Sequence, residues 1–184
     1  GSIYGDFIQL DTQERNAFAS KPITMLVEQH QRTPFSVPAG TGSSYTSLEF
    51  SHPVKAIYTS NVYATGTVPA LGYPVDSKMK IEFNGKTRTP SLPTENYYVD
   101  HQLGKHTEYG AVNTLSAALF PMYSFALYAN RLSPTGSCNF SRLDNARVSL
   151  IPSTAATAAT GYFYALGWNF LKIEDGMGGL LFAN

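Results

Sequence analysis

The histidines and the single cysteine are the rarest side chains in this sequence able to bind a metal or join a nucleophile–base pair: His30, His52, His101, His106 and Cys138. A cupin-type metal site needs a His-x-His pair with a later His and a Glu. No two histidines are spaced that way, and His101 and His106 sit in an irregular stretch. A serine hydrolase needs a Gly-x-Ser-x-Gly elbow, which is absent. A thiol enzyme needs a histidine beside its cysteine. Cys138 stands instead in a turn-forming run next to Phe140, where a thiol behaves as a small hydrophobe. There is no P-loop, no Gly-x-Gly-x-x-Gly and no Cys-x-x-Cys. The residues therefore predict no enzyme, no catalytic set, no metal and no cofactor.

The densest polar cluster lies elsewhere, between Pro134 and Asn145. Ser133-Pro134-Thr135-Gly136 suits a type I turn, because proline presets φ at the second position and glycine tolerates the exit. Then come Cys138, Asn139, Phe140, Ser141, Arg142, Asp144 and Asn145. Short polar side chains packed this closely can bond their own backbone while the chain crosses between strands. Arg142 and Asp144 are expected to pair across an extended chain, where alternate residues share a face, and Asn139 and Ser141 to bond local backbone. Asn139-Phe140-Ser141 also matches the N-glycosylation sequon, a weak signal in a run that already has a structural reading.

Two strands must hold this corner. Met122–Tyr128 precedes it, with Tyr123, Phe125 and Leu127 on one face, and Arg147–Ile151 follows it, with Val148 and Leu150 facing in. Elsewhere, Asp11 and Glu14 form a capping box for a short helix over Thr12–Ala19, which Pro22 ends. Ile23–Arg32, Tyr45–Phe50 and Val54–Tyr63 read as strands. Pro38–Ser44 and Thr65–Ser77 read as loops, and Lys105–Leu119 mostly so. Lys78–Phe83 is the cleanest strand, with Met79, Ile81 and Phe83 inward, and Asn84-Gly85 predicts a hairpin returning over Lys86–Thr89. Tyr97–Leu103 is ambiguous; Thr94 can cap a short helix there and Gly104 can end it. Tyr162–Ile173 reads as a long central strand, with Tyr162, Tyr164, Leu166, Trp168 and Phe170 on one face. Ser153–Thr160 before it reads as a small-residue surface loop. Gly176 to Gly179 reads as a turn into a last strand, Leu180–Ala183. About eight short strands with little helix define an all-β sandwich or barrel; the pattern alone does not choose between immunoglobulin-like, jelly-roll and lectin-like topologies.

The totals agree with that class. A chain of 184 residues has room for one domain, 1–184, with a real core. Thirteen basic residues balance thirteen acidic ones, which argues against direct nucleic-acid binding. Charged residues are 14% and aromatic residues 13%, a balance that fits either a surface covered by neighbours or simply a tyrosine-rich β sandwich. One cysteine permits no internal disulfide, which fits assembly in a reducing compartment. No run approaches the ~20 apolar residues of a membrane span, and no secretory signal opens the chain. A start at Gly1-Ser2 without methionine suits a processed chain or a piece of a longer one.

The run Ser124 to Asn145 resembles the end of the major capsid protein of the nucleocytoplasmic large DNA viruses. Members carry a strand ending in Phe-Ala-Leu, a Pro-[Ser/Thr]-Gly turn, and then Cys-Asn-Phe-Ser-Arg-[Ile/Leu]-Asp-Asn. Leu10-Asp11-Thr12-Gln13-Glu14-Arg15 is similar to the segment that opens the family's second half, and Asn169 to Asn184 to its carboxyl end. The resemblance covers Phe7 to Asn184. It implies an eight-stranded antiparallel jelly-roll sandwich of two four-stranded sheets, with residues 1–22 as a lead-in carrying a short helix. It further implies a structural capsid component of the virion, assembled in the host cytoplasm. The expected partners are an upstream jelly roll of the same protein in a homotrimeric capsomer, neighbouring capsomers and minor capsid proteins. An alternative from another class is a carbohydrate- or receptor-binding jelly roll that uses Tyr63, Tyr73, Tyr97 and Tyr98.

Overall fold

A computed structural model describes residues 1–38, 40, 42–65, 68–71, 77–107, 120–151, 158–175 and 177–182. Asp11 caps helix α1 (Thr12–Ser20) by accepting from the Glu14 amide at 2.8 Å. Strands β1 (Ile23–Val37), β2 (Ser44–Ser47), β3 (Pro53–Thr65), β4 (Val68–Leu71), β5 (Lys78–Phe83) and β6 (Lys86–Pro93) follow. A π-helical segment, Thr94–His101, runs into α2 (Gln102–His106). After it come β7 (Met122–Ser124), β8 (Cys138–Asn139), a 3-10 turn (Phe140–Arg142), β9 (Ala146–Ile151), β10 (Ala159–Glu174) and β11 (Met177–Leu180). The chain divides into two compact units, residues 28–168, and residues 1–27 with 169–184.

All the registered strand pairs are antiparallel, in two sheets. The smaller sheet has the order β2-β9-β5-β6 and the larger runs β1-β10-β3-β4. β7 and β8 also pair with β3, so β4, β7 and β8 together fill the position beside that strand, and β11 pairs with the tail of β10. Two sheets of four strand positions are thus present, as expected of a jelly roll. The count of strand segments is eleven rather than eight because one edge is built from three pieces and β11 is added at the tail of β10. One hydrophobic core joins the sheets: Phe35, Val54, Ile57 and Phe163 from the larger meet Met79, Ile81 and Val148 from the smaller. The hairpin at Asn84-Gly85 pairs Phe83 with Lys86 and holds both turn residues at positive φ, 49° and 75°.

Several local expectations are corrected. β1 continues past Arg32 through Pro34, and its regular burial alternation lies in Thr33–Val37. Proline is tolerated there because β1 is the sheet's edge. The run read as a loop after Thr65 contains β4. Thr94 does not cap the helix by its side chain, and Gly104 lies inside α2. On β10, Phe163 and Ala165 face the core, whereas Tyr162 is 39% exposed. Trp168, of opposite parity to Phe163 and Ala165, is also buried, with the Lys55 ammonium over its ring. The last reversal comes directly after Glu174, where Asp175 takes φ 53°, so β11 begins at Met177 and not Leu180. Most of Lys105–Leu119 and of Ser153–Thr160, both read as loops, lies outside the described residues.

Candidate functional site

The strand before the polar corner is only three residues long. β7 stops at Ser124, whose hydroxyl donates to Ala126 O at 2.7 Å and accepts from Ala126 N at 3.1 Å. This local ring bends the chain. The expected alternation therefore ends early: Ala126 is buried and Leu127 is 58% exposed, against the expected inward Leu127. The bend is tied to the Pro134 turn: Thr135 Oγ1 donates to Tyr128 O and accepts from Tyr128 N, and Leu127 N donates to Thr135 O. Pro134 itself is exposed. Gly136 has φ 139°, and a Cβ there would lie 2.8 Å from Phe125 O, so only glycine lets the two strands of the turn approach this closely.

Cys138 and Asn139 pair with Val54 and Pro53 as β8. Burial pushes the half-buried Cys138 thiol up, and Arg88 partly opposes this. Asn139 Oδ1 accepts from Ser141 N at 3.1 Å, which caps the 3-10 turn. Ser141 Oγ accepts from His52 N at 2.9 Å, and Phe140 N donates to His52 O at 3.0 Å. Asn145 N donates to Asn84 Oδ1 at 3.0 Å and its carbonyl accepts from Asn84 N, which ties the corner to the β5–β6 hairpin. Phe140 is 2% exposed and meets Phe50, Phe83 and Phe125 edge-on, with ring centroids 5.6–5.8 Å away.

Arg142 and Asp144 do not meet. Both are exposed, and among the described residues neither side chain has a hydrogen-bond or ion-pair partner. The cause is the 3-10 turn over Phe140–Arg142: the backbone is not extended there, so alternate residues lose their shared face. The histidines stay apart in role. His30 is exposed, His52 is buried with φ 67°, His101 stacks on Tyr97, and His106 Nδ1 bonds Leu127 O at 3.2 Å. Among the described residues no three His, Cys, Asp or Glu side chains are grouped to hold a metal. Of the four tyrosines expected to serve a glycan site, the two whose side chains are described, Tyr97 and Tyr98, pack against each other. Tyr98 is fully buried, bonding Thr89 Oγ1 and donating to Met79 O; Tyr97 packs on its edge; the side chains of Tyr63 and Tyr73 lie outside the described residues.

The most unusual buried group went unpredicted. Lys55 is 1% exposed, pairs with Glu28, donates to Arg131 O at 3.1 Å and lies 4.7 Å from the Trp168 ring centre. Val54 pairs with Gly167 and Ala56 with Leu166, so Lys55 is the extra residue of a bulge on β3. The signal was a lone lysine inside Val54-Lys55-Ala56-Ile57, an apolar run with no visible partner. On the smaller sheet, Lys80 first and then Arg147 hold the Glu82 carboxyl below its ordinary range, Arg147 Nε donating to Glu82 Oε2 at 2.7 Å.

The corner's polar contacts tie β8, the 3-10 turn and the β5–β6 hairpin to the start of β3. Residues 14–179 match the family described as large eukaryotic DNA virus major capsid protein. The chain belongs to that capsid protein family. It is 30% identical to the major capsid protein of Paramecium bursaria Chlorella virus 1, over the whole chain and 54% of the relative. It is 31% identical to that of Pyramimonas orientalis virus, over the whole chain and 49% of the relative. The chain thus spans about half the length of the curated relatives it matches. Among solved structures it is similar to a chain of the PBCV-1 virus capsid, with a TM-score of 0.73 and 27% identity over 95% of this chain and 55% of that one. The Faustovirus major capsid protein shares the fold, with a TM-score of 0.64 at 13% identity over 90% of this chain and 36% of that one. The relatives are structural proteins of the virion shell. Among the described residues no helix is long and apolar enough to cross a membrane.

Proposed function

We propose that this chain is one jelly-roll domain, the carboxyl-terminal half of a coat protein. It works beside an upstream jelly roll of the same protein in homotrimeric, pseudo-hexagonal capsomers that tile an icosahedral shell. Neighbouring capsomers and minor capsid proteins are its contacts, and nucleic acid is not. Its work is mechanical, without turnover or cofactor, and assembly takes place in the host cytoplasm. The observation that carries this reading is the likeness to the PBCV-1 capsid chain over 95% of this chain but only about half of that one. The exposed apolar side chains near the amino terminus, Ile3, Tyr4, Phe7 and Ile8, are further support, because covering such groups drives association. Co-expression with the upstream half, followed by size-exclusion chromatography with light scattering and negative-stain microscopy, tests it. Trimers with six-lobed outlines are expected, and a protein that stays monomeric with both halves present refutes the reading.

A further inference from the structure

A cleft of ≈ 670 Å³ opens beside α2, between β6, β7 and the run ending at Cys138. Its aromatic wall is Phe83, Tyr123 and Phe125, and its polar lining includes Arg88, Gln102 and His106. Among the described residues no Asp or Glu lines it. Gln102 is 4% exposed, and its Oε1 accepts from Ser124 N at 3.1 Å, which fixes the amide's orientation. Its Nε2 then carries two donors with no protein partner among the described residues, in a side chain that lines the cleft. Arg88 Nε donates to Tyr123 Oη at 3.1 Å, and no carboxylate of the described residues pairs with this guanidinium. The accepting Tyr123 hydroxyl keeps its own proton to donate. A volume of this size is that of a small-ligand site.

We propose that this cleft binds a carboxylate carried on an apolar or aromatic group, with the carboxylate between Arg88 and Gln102 and the apolar part against Phe83 and Phe125. One fixed cation with neutral donors matches a monoanion; a phosphate dianion would leave a charge uncompensated in a half-buried site. The guanidinium fork and the amide both suit a planar, two-oxygen acceptor.

The test is a titration of the chain with 3-phenylpropionate, 3-phenylpropionamide and the capped dipeptide acetyl-Phe-Glu-amide, followed by NMR shifts of the α2 and β7 amides. The acid is expected to bind at least about tenfold more tightly than the amide, the value of one charge-assisted bond. Gln102→Glu keeps an oxygen for Ser124 N and replaces the donors with negative charge. Arg88→Gln removes the cation at an exposed position. Each should erase the preference for acid, and Arg88→Gln should leave thermal unfolding unchanged. Tighter binding of the dipeptide than of the free acid assigns the carboxylate to a neighbouring chain; the reverse assigns it to a free small acid. Equal binding of acid and amide, or a preference that survives Arg88→Gln, overturns the proposal. None of these outcomes depends on trimer formation.

Discussion

Replacing Phe140 with alanine removes the ring on which the corner is hung. Phe140 is 2% exposed and touches three other phenylalanines, one from the segment before β3, one at the end of β5 and one after β7. A buried Phe→Ala change costs roughly 3–5 kcal/mol, depending on how far the site collapses. Phe50 is itself buried and has little freedom to move, but Phe83 and Phe125 are only partly buried and can lean inward. The lower end, about 3 kcal/mol, is therefore expected. For a chain of this length that is a fall in Tm of about 6–12 °C. Urea unfolding followed by near-UV circular dichroism reads both the stability and the order of the aromatic cluster. Phe140→Leu nearly conserves volume and should cost less than about 1.5 kcal/mol. A loss below about 1 kcal/mol for Phe140→Ala would show that the corner is not anchored by this ring.

The remaining expectations concern polar groups. Ser141→Ala leaves His52 N without its acceptor and should cost about 1–3 kcal/mol, whereas Asp144→Ala and Arg142→Ala should stay within about 0.5 kcal/mol; denaturant midpoints of the three variants separate them. Glu28→Gln strips the partner from the fully buried Lys55 and should cost about 3–5 kcal/mol. Lys55→Met should cost less, because the remaining Glu28, 26% exposed, can reach water; the opposite order in urea titrations would refute the account. Burial raises the phenols of Tyr98, Tyr123 and Tyr58, in the last with help from Glu28. A raised folded value means stability is intact below about pH 10 and is lost as pH climbs toward the folded values, once the unfolded chain ionises. Absorbance at 295 nm should therefore show these phenols titrating late, together with unfolding. Early titration of all twelve tyrosines would contradict their burial.

The fold was legible wherever one face of a strand is buried. β5 alternates over Lys78–Ile81, with Met79 and Ile81 in the core, before the buried Glu82 breaks the pattern, and Asn84-Gly85 names its own turn. The helix start was legible for the same local reason, an Asp11 side chain bonding three residues ahead. Reading failed where two faces are occupied or the period breaks. In β10 both faces are apolar, so hydrophobicity could not say which looks inward, and the extra residue behind the register shift at Leu166/Gly167 lies on β3, where the β10 sequence carries no sign of it. Lys55 was illegible because its partners lie on β1 and β10 and near Arg131, all distant in sequence.

The corner shows the same division at the scale of one motif. Its turn glycine and its Asn139 cap follow from residue type and immediate neighbours, and sequence is sufficient for such contacts; the Phe140 anchor meets rings from distant parts of the chain. The expected Arg142–Asp144 pair required an extended backbone, and the Asn139 cap replaces that backbone with a 3-10 turn. The residue that forms the tie is Ser141, whose hydroxyl accepts from His52, 89 positions earlier in the chain. A serine has no hydrophobic period to place it and no charge to name a partner. Only the pairing of β8 with the start of β3 brings that amide within reach. The charged residues of the motif, chemically its loudest, thus find no partner among the described residues, while its tie to β3 passes through a neutral hydroxyl.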